Sequence, residues 1–142
     1  MKCLLTDDNS VNRVVGSRIL EKMGHKVVTA KNGLEAVEAI STSRFDLVFM
    51  DCQMPVMDGY MATREIRKLS RDHINFNIPV IALTGHASDG NHMDCILAGM
   101  NARISKPVDL NELEDLLIRL KPQLSRRLEL YLQRHGSVEA AM

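Results

Sequence analysis

Leu47-Val48-Phe49-Met50-Asp51-Cys52-Gln53-Met54-Pro55-Val56-Met57-Asp58-Gly59 reads as a strand, a carboxylate and a loop, in that order. Its first four residues are apolar without interruption, as a strand covered on both faces requires. Asp51 ends that run, and Pro55 and Gly59 punctuate the segment after it as a loop. Ala62, Ile66 and Leu69 then recur at helical spacing. One strand–helix unit is thus spelled out, with an acidic side chain at the strand's carboxyl end.

The same grammar repeats on either side. Lys2–Thr6 is a strand candidate followed by Asp7-Asp8-Asn9-Ser10, a carboxylate and capping cluster. Val11, Val14, Val15, Ile19, Leu20 and Met23 keep a helical period that Gly24 closes. Val27–Ala30 is a second strand, and Asn32-Gly33 opens a helix marked by Leu34, Val37 and Ile40. Val80–Thr84 is a fourth strand, introduced by Pro79, and the stretch 87–99 is a weaker helix. Ala102–Ser105 is a short fifth strand. Leu110, Leu113, Leu116, Leu117 and Leu120 give a last helix, opened by Asp109 and expected to stop before Pro122. Strict alternation of strands and helices predicts a doubly wound α/β domain with a parallel sheet. The expected organisation is one domain over residues 1–121 and an extension over 122–142. The extension would hold a short helix near Ser125–Arg134 and a tail from Gly136.

Bulk properties narrow the function. The 142 residues balance 18 basic against 18 acidic side chains, which argues against a nucleic-acid footprint or a polybasic membrane patch. No apolar run approaches the ~20 residues of a membrane span. The start of the chain turns acidic by Asp7, unlike a secretory signal. Cys3, Cys52 and Cys95 are odd in number and widely spaced, which suits reduced thiols in a cytoplasmic setting. Trp is absent, which disfavours a base-stacking platform. Nothing sets an oligomeric state.

In an open parallel sheet, ligands bind beyond the carboxyl ends of the strands. Asp7 and Asp8 follow the first strand, Asp51 the third, Thr84 ends the fourth, and Lys106 follows the fifth. Crowded carboxylates repel one another, and a divalent cation keeps them ionised. Carboxylates with a backbone carbonyl and waters suit Mg2+. Magnesium neutralises a phosphoryl group and leaves one carboxylate free to attack it. Lys106 would meet one phosphoryl oxygen as a point charge and Thr84 another through its hydroxyl, while Gly85 leaves room for a donor. Each residue alone has a plainer reading: a cap, a strand threonine, a solvated lysine. Their joint placement on one sheet edge is what points to chemistry.

At these residues the chain resembles the receiver domains of two-component signalling, the response-regulator family. The resemblance rests on Leu4–Asn9, Phe49–Gly59, Ile81–His86 and Ser105–Pro107, and covers about residues 1 to 121. It implies a flavodoxin-like (βα)5 sheet with strand order 2-1-3-4-5. It implies that Asp51 is the phosphoacceptor, that Asp8 is a direct Mg2+ ligand with Asp7 acting mostly through water, and that the Gln53 carbonyl completes the protein ligands. Thr84 and Lys106 would be the phosphate-sensing pair, with a cis bond before Pro107. The donor would be a phosphohistidine on a histidine kinase or phosphotransfer domain, docked on the first helix near Asn12, Arg13, Ser17 and Arg18. The segment Asp51–Gly59, with Asn9 and Asn12, looks most like receivers of hybrid histidine kinases. No helix-turn-helix reader follows Pro122, so the chain is expected to be either a single-domain receiver or a receiver from a longer kinase, the second being favoured.

One position departs from the family. Three residues before Lys106, where Tyr or Phe is usual, stands Arg103. A guanidinium is not easily buried behind Thr84, so Arg103 is expected to stay outward on a partner surface. A degenerate receiver serving as a binding module is therefore an alternative. An aspartyl-nucleophile Mg2+ phosphatase is a weaker one, because it would want a second acid where Gln53 stands. A flavodoxin-like cofactor binder would want a glycine-rich phosphate loop where Asp7-Asp8 stands. Gln53 and His86 are rim positions from which water could be steered in dephosphorylation. Cys52 should point away from Asp51 into the core. His25, His73, His92 and His135 lack ligand spacing.

Overall fold

The computed structural model describes residues 1–85 and 92–136. Strands and helices alternate along the chain: β1 (Lys2–Thr6), α1 (Ser10–Lys22), β2 (Lys26–Ala30), α2 (Gly33–Thr42), β3 (Leu47–Asp51), α3 (Gly59–Arg67), β4 (Val80–Thr84), α4 (His92–Ala98), β5 (Ala102–Ser105) and α5 (Leu110–His135). All neighbouring strands pair parallel, in the order β2-β1-β3-β4-β5. The expected fold and strand order are both present.

The central strands are apolar throughout, yet their side chains still divide by the period of two. Leu4, Val48, Met50, Val80 and Ala82 face α2 and α3, packing with Ala36, Ile40, Ala62 and Ile66. Cys3, Leu5, Leu47, Phe49, Ile81 and Leu83 face the other way, against Leu20 of α1 and Leu113, Leu116, Leu117 and Leu120 of α5. Full burial of each large apolar side chain contributes about 1.5–3 kcal/mol, so two cores of this size hold the sheet between its helix layers. The edge strands are less covered than continuous apolar runs suggest, and β2 keeps Val28 and Thr29 exposed.

The starts of α1, α2 and α5 are capped where the sequence indicates, and α3 is capped as well. Asn9 Oδ1 accepts from the amides of Val11 and Asn12 at 2.9 and 3.1 Å. Asn32 accepts from Glu35, whose carboxylate accepts from Lys31 in return. Asp58 and Asp109 cap α3 and α5.

Two features of the helices go beyond their sequence pattern, and the second is a correction. The apolar period of α1 does not mark only a core face: Val11, Val14 and Val15 are 65%, 50% and 46% exposed, while Gly16 and Leu20 pack inward. And α5 does not stop before Pro122. It continues as one helix of 26 residues, and the separate short helix expected near Ser125–Arg134 is its second half. Proline removes one amide and pushes on the carbonyl four residues back, here that of Ile118. Pro122 and Ile118 both lie on the exposed side, where water can take up the freed carbonyl. Beyond the proline, Leu124 packs against the core and Arg127 anchors the helix, donating to the carbonyls of Ile74 and Phe45 at 3.0 Å each.

The opposite edge from the strand carboxyl ends is tied by side chains. Buried Asn75 donates to the carbonyls of Ile40 and Ser43 and accepts from the amide of Phe45. Arg67 reaches the carbonyls of Ile78 and Gly99 and the side chain of Asn101. Gly99 adopts φ +98°, and a Cβ there would press on the Arg67 stem.

Candidate functional site

The carboxyl ends of β1, β3, β4 and β5 gather the residues singled out in the sequence. Asp51 is the last residue of β3, level with Leu83 of β4, and Thr84 is level with Ser105 of β5. Parallel register therefore sets Asp51, Thr84 and the Lys106 backbone side by side, and the Lys106 amide donates to the Thr84 carbonyl at 2.7 Å. The Lys106–Pro107 bond is cis, as expected.

Lys106 Nζ lies 3.2 Å from Asp51 Oδ2 and 3.5 Å from Asp7 Oδ2. Asp7 and Asp51 are buried, whereas Asp8 and Gln53 are exposed at the rim. Asp7 is held on several sides: its Oδ1 accepts from the Asn9 amide at 2.9 Å and from Asn12 Nδ2 at 3.5 Å, and its carbonyl accepts from Arg13 Nη1 at 2.8 Å. The amide of Gln53 donates to Asp51 Oδ1 at 3.2 Å. Thr84 is buried beside them. The direct Asp7–Lys106 ion pair, and the brace from Arg13, went unread in the sequence. The one available signal was that Asn12 and Arg13 sit a helical turn beyond the Asn9 cap, where α1 returns over Asp7.

Gly59 allows this closeness. A Cβ there would collide with the Asp51 carbonyl, so the start of α3 can seat against the end of β3 only with no side chain. Val56, in the same loop, takes φ 70°, a backbone region that a β-branched residue seldom adopts.

The electrostatics are unbalanced without another cation. Burial, and next the charge of Asp7, raise the Asp51 pKa to about 6 against the pull of Lys106. Burial alone would lower the Lys106 pKa, but Asp51 and Asp7 outweigh it and raise it. Asp7 Oδ2 and Asp51 Oδ2 are buried and accept no well-directed hydrogen bond. One oxygen from each of Asp7, Asp8 and Asp51 lies within 4.8 Å of the others, a donor set that fits a hard divalent ion. Cys52 points into the core as expected, where burial pushes its thiol up to about 12. His86 lies outside the described residues. Arg103 is half-buried on β5.

A family description, the response regulator receiver domain, matches residues 3–118. The chain belongs to that family. Among relatives, this receiver domain is 38% identical over 119 residues to hybrid signal transduction histidine kinase A of Dictyostelium discoideum, covering 83% of the chain and 6% of that kinase. It is 36% identical over 118 residues to sensor histidine kinase GacS of Pseudomonas protegens, covering 83% of the chain and 13% of GacS. The chain thus spans only a small part of these relatives. Among solved structures, the receiver domain of sensor histidine kinase PA1611 from Pseudomonas aeruginosa, which has a magnesium ion in its active-site cleft, is 40% identical. Its TM-score is 0.75, over 83% of this chain and 94% of that one. The Saccharomyces cerevisiae receiver domain of Ssk1, solved with the phosphotransfer protein Ypd1, is 30% identical. Its TM-score is 0.72, over 80% of this chain and 83% of that one.

Proposed function

We propose that this receiver domain accepts a phosphoryl group on Asp51 from a phosphohistidine of a histidine kinase or histidine phosphotransfer domain, with Mg2+ as the cofactor. The observation that carries the reading is the buried Asp51 carboxylate, faced by Lys106 at 3.2 Å and clustered with Asp7 and Asp8. Asp8, Asp7, Asp51 and the Gln53 carbonyl would hold the metal. When bound, Mg2+ supplies positive charge that keeps the carboxylates ionised and offsets charge on the transferring group. A carboxylate oxygen of Asp51 forms the new P–O bond as the donor's N–P bond breaks, and the donor imidazole keeps the electron pair and takes a proton. Lys106 carries its charge to a phosphoryl oxygen, and Thr84 donates its hydroxyl to another. The exposed Val11, Val14 and Val15, beside Asn12, Arg13 and Arg18 on α1, form the surface proposed to seat the donor.

The domain assists its own phosphorylation and dephosphorylation, with Gln53 at the rim steering water. Residues 1–121 form the receiver unit and 122–142 its extension. A family match ending at residue 118 supports this division. The likeness to hybrid kinases supports an origin in such a kinase. A cytoplasmic setting suits its three free cysteines. Among the described residues no helix is long and apolar enough to cross a membrane. Arg103 at the usual aromatic position favours a second reading, in which the site is intact but the domain serves as a binding module.

Acetyl phosphate with Mg2+ should leave a base-labile adduct on Asp51, seen by mass spectrometry and lost in Asp51→Asn. Beryllofluoride should shift amides near Asp8, Asp51, Thr84 and Lys106, and Lys106→Ala should keep Mg2+ binding while losing that response. No adduct on Asp51 would refute the proposal.

A further inference from the structure

The second half of α5 lies over the loop between α3 and β4, and the two enclose a cleft of about 450 Å³. It lies at the amino ends of the strands, across the sheet from Asp51. Its volume is within the range of small-molecule sites. Ile74, Phe76, Leu130 and Tyr131 give it apolar and aromatic walls, and the Tyr131 ring is further fixed by stacking on His135 at 4.2 Å.

The charge around it is one-sided. Arg71, Arg126, Arg127 and Arg134 all line the cleft, and among the described residues no carboxylate does. Arg134 is paired with Asp72 at 2.9 Å, and Arg126 only reaches Glu129 at 4.0 Å, both partners being well exposed. Arg71 has no partner among the described residues. Arg127 is the unusual member. Its two terminal nitrogens are satisfied by carbonyl groups, and its Nε makes no hydrogen bond. Burial disfavours its charge; Asp46 offsets this from a distance, while Arg44 and Arg67 add like charge. A buried cation with no carboxylate in direct contact is costly. Low-dielectric walls focus such a field into the cleft.

We propose that this cleft is a binding site for a small anion carried on a flat apolar body, its acidic group meeting Arg71 and Arg126 and its body lying against Phe76 and Tyr131. Aromatic carboxylates or sulfonates and nucleoside monophosphates share this chemistry. Arginine is suited to all of them because its planar fork pairs with either head group and stacks on rings.

The test titrates the full chain with 8-anilinonaphthalene-1-sulfonate and, separately, with adenosine monophosphate, following amide NMR shifts. The uncharged N-phenyl-1-naphthylamine is the control. Saturable shifts at Ile74, Phe76 and Tyr131 from either anion support the site and show which head group it takes. The double variant Arg71→Gln/Arg126→Gln, checked for its native circular dichroism and melting, should bind at least about tenfold more weakly, as loss of charge-assisted contacts requires. Its phosphoryl uptake on Asp51 should be unchanged. Shifts elsewhere, equal binding of the uncharged control, unaltered affinity in the folded double variant, or no shifts at millimolar concentration of both anions would each overturn the proposal.

Discussion

Asp51→Asn should make the metal-free domain more stable at neutral pH. In the folded chain the Asp51 pKa stands at about 6 rather than the ordinary 3.8, chiefly because it is buried and secondly because Asp7 is near. Between these two values the folded state holds a proton that the unfolded state has released. Unfolding stability therefore falls as pH rises through this window, and the loss is complete above pH 6. The interval corresponds to about 3 kcal/mol, at about 1.4 kcal/mol per tenfold change in proton affinity. Asparagine resembles the protonated acid and escapes the loss. In chelator-containing buffer at pH 7 the variant should gain on the order of 2–3 kcal/mol, or roughly 6–10 °C in melting temperature. Below pH 4 the two proteins should converge. Urea denaturation across pH 3.5–7.5, followed by circular dichroism, measures this directly. Millimolar Mg2+ should narrow the gap by stabilising only the form with the full acid cluster. Equal stabilities at pH 7, with divergence appearing only in acid, would refute the reasoning.

Asn75→Ala removes partners from two carbonyls and one amide at the amino edge of the sheet, and should cost about 2–4 kcal/mol in chemical denaturation. Gly59→Ala forces α3 away from the Asp51 carbonyl, and should cost about 2 kcal/mol or more while weakening Mg2+ binding measured by calorimetry. Pro122→Ala restores an amide donor to the carbonyl of Ile118, and should slow hydrogen exchange beyond residue 122 by an amount equivalent to about 1–3 kcal/mol.

The sheet and its order could be read because each strand is a short apolar run and each helix start carries its own cap. Asp51, Thr84 and Lys106 could be placed together because parallel register brings strand ends level. What stayed hidden depends on contacts between distant segments. Proline after Leu120 reads locally as a stop, yet the helix continues because Arg127 finds the carbonyls of Phe45 and Ile74, far away in the chain. The valines of α1 satisfy a helical period whether they face the core or the solvent, and only the tight seat of Gly16 on Leu5 decides which face turns inward. Asp7 and Asp8 are adjacent and chemically alike. The last residue of β1 sets which of them is buried against Lys106 and which reaches the rim.

Asn75, Arg67 and Arg127 rivet the amino ends of the central strands to the loops around them with directional bonds. The carboxyl ends, besides backbone bonds such as that from the Lys106 amide to the Thr84 carbonyl, carry charges that change when a proton, an ion or a phosphoryl group arrives. A sheet fastened along one margin and adjustable along the other can open only like a hand fan, with its pivot below. Displacements should then grow with distance from Asn75, while the amides of Phe45 and Ile78 stay the slowest to exchange whatever the state of the upper margin.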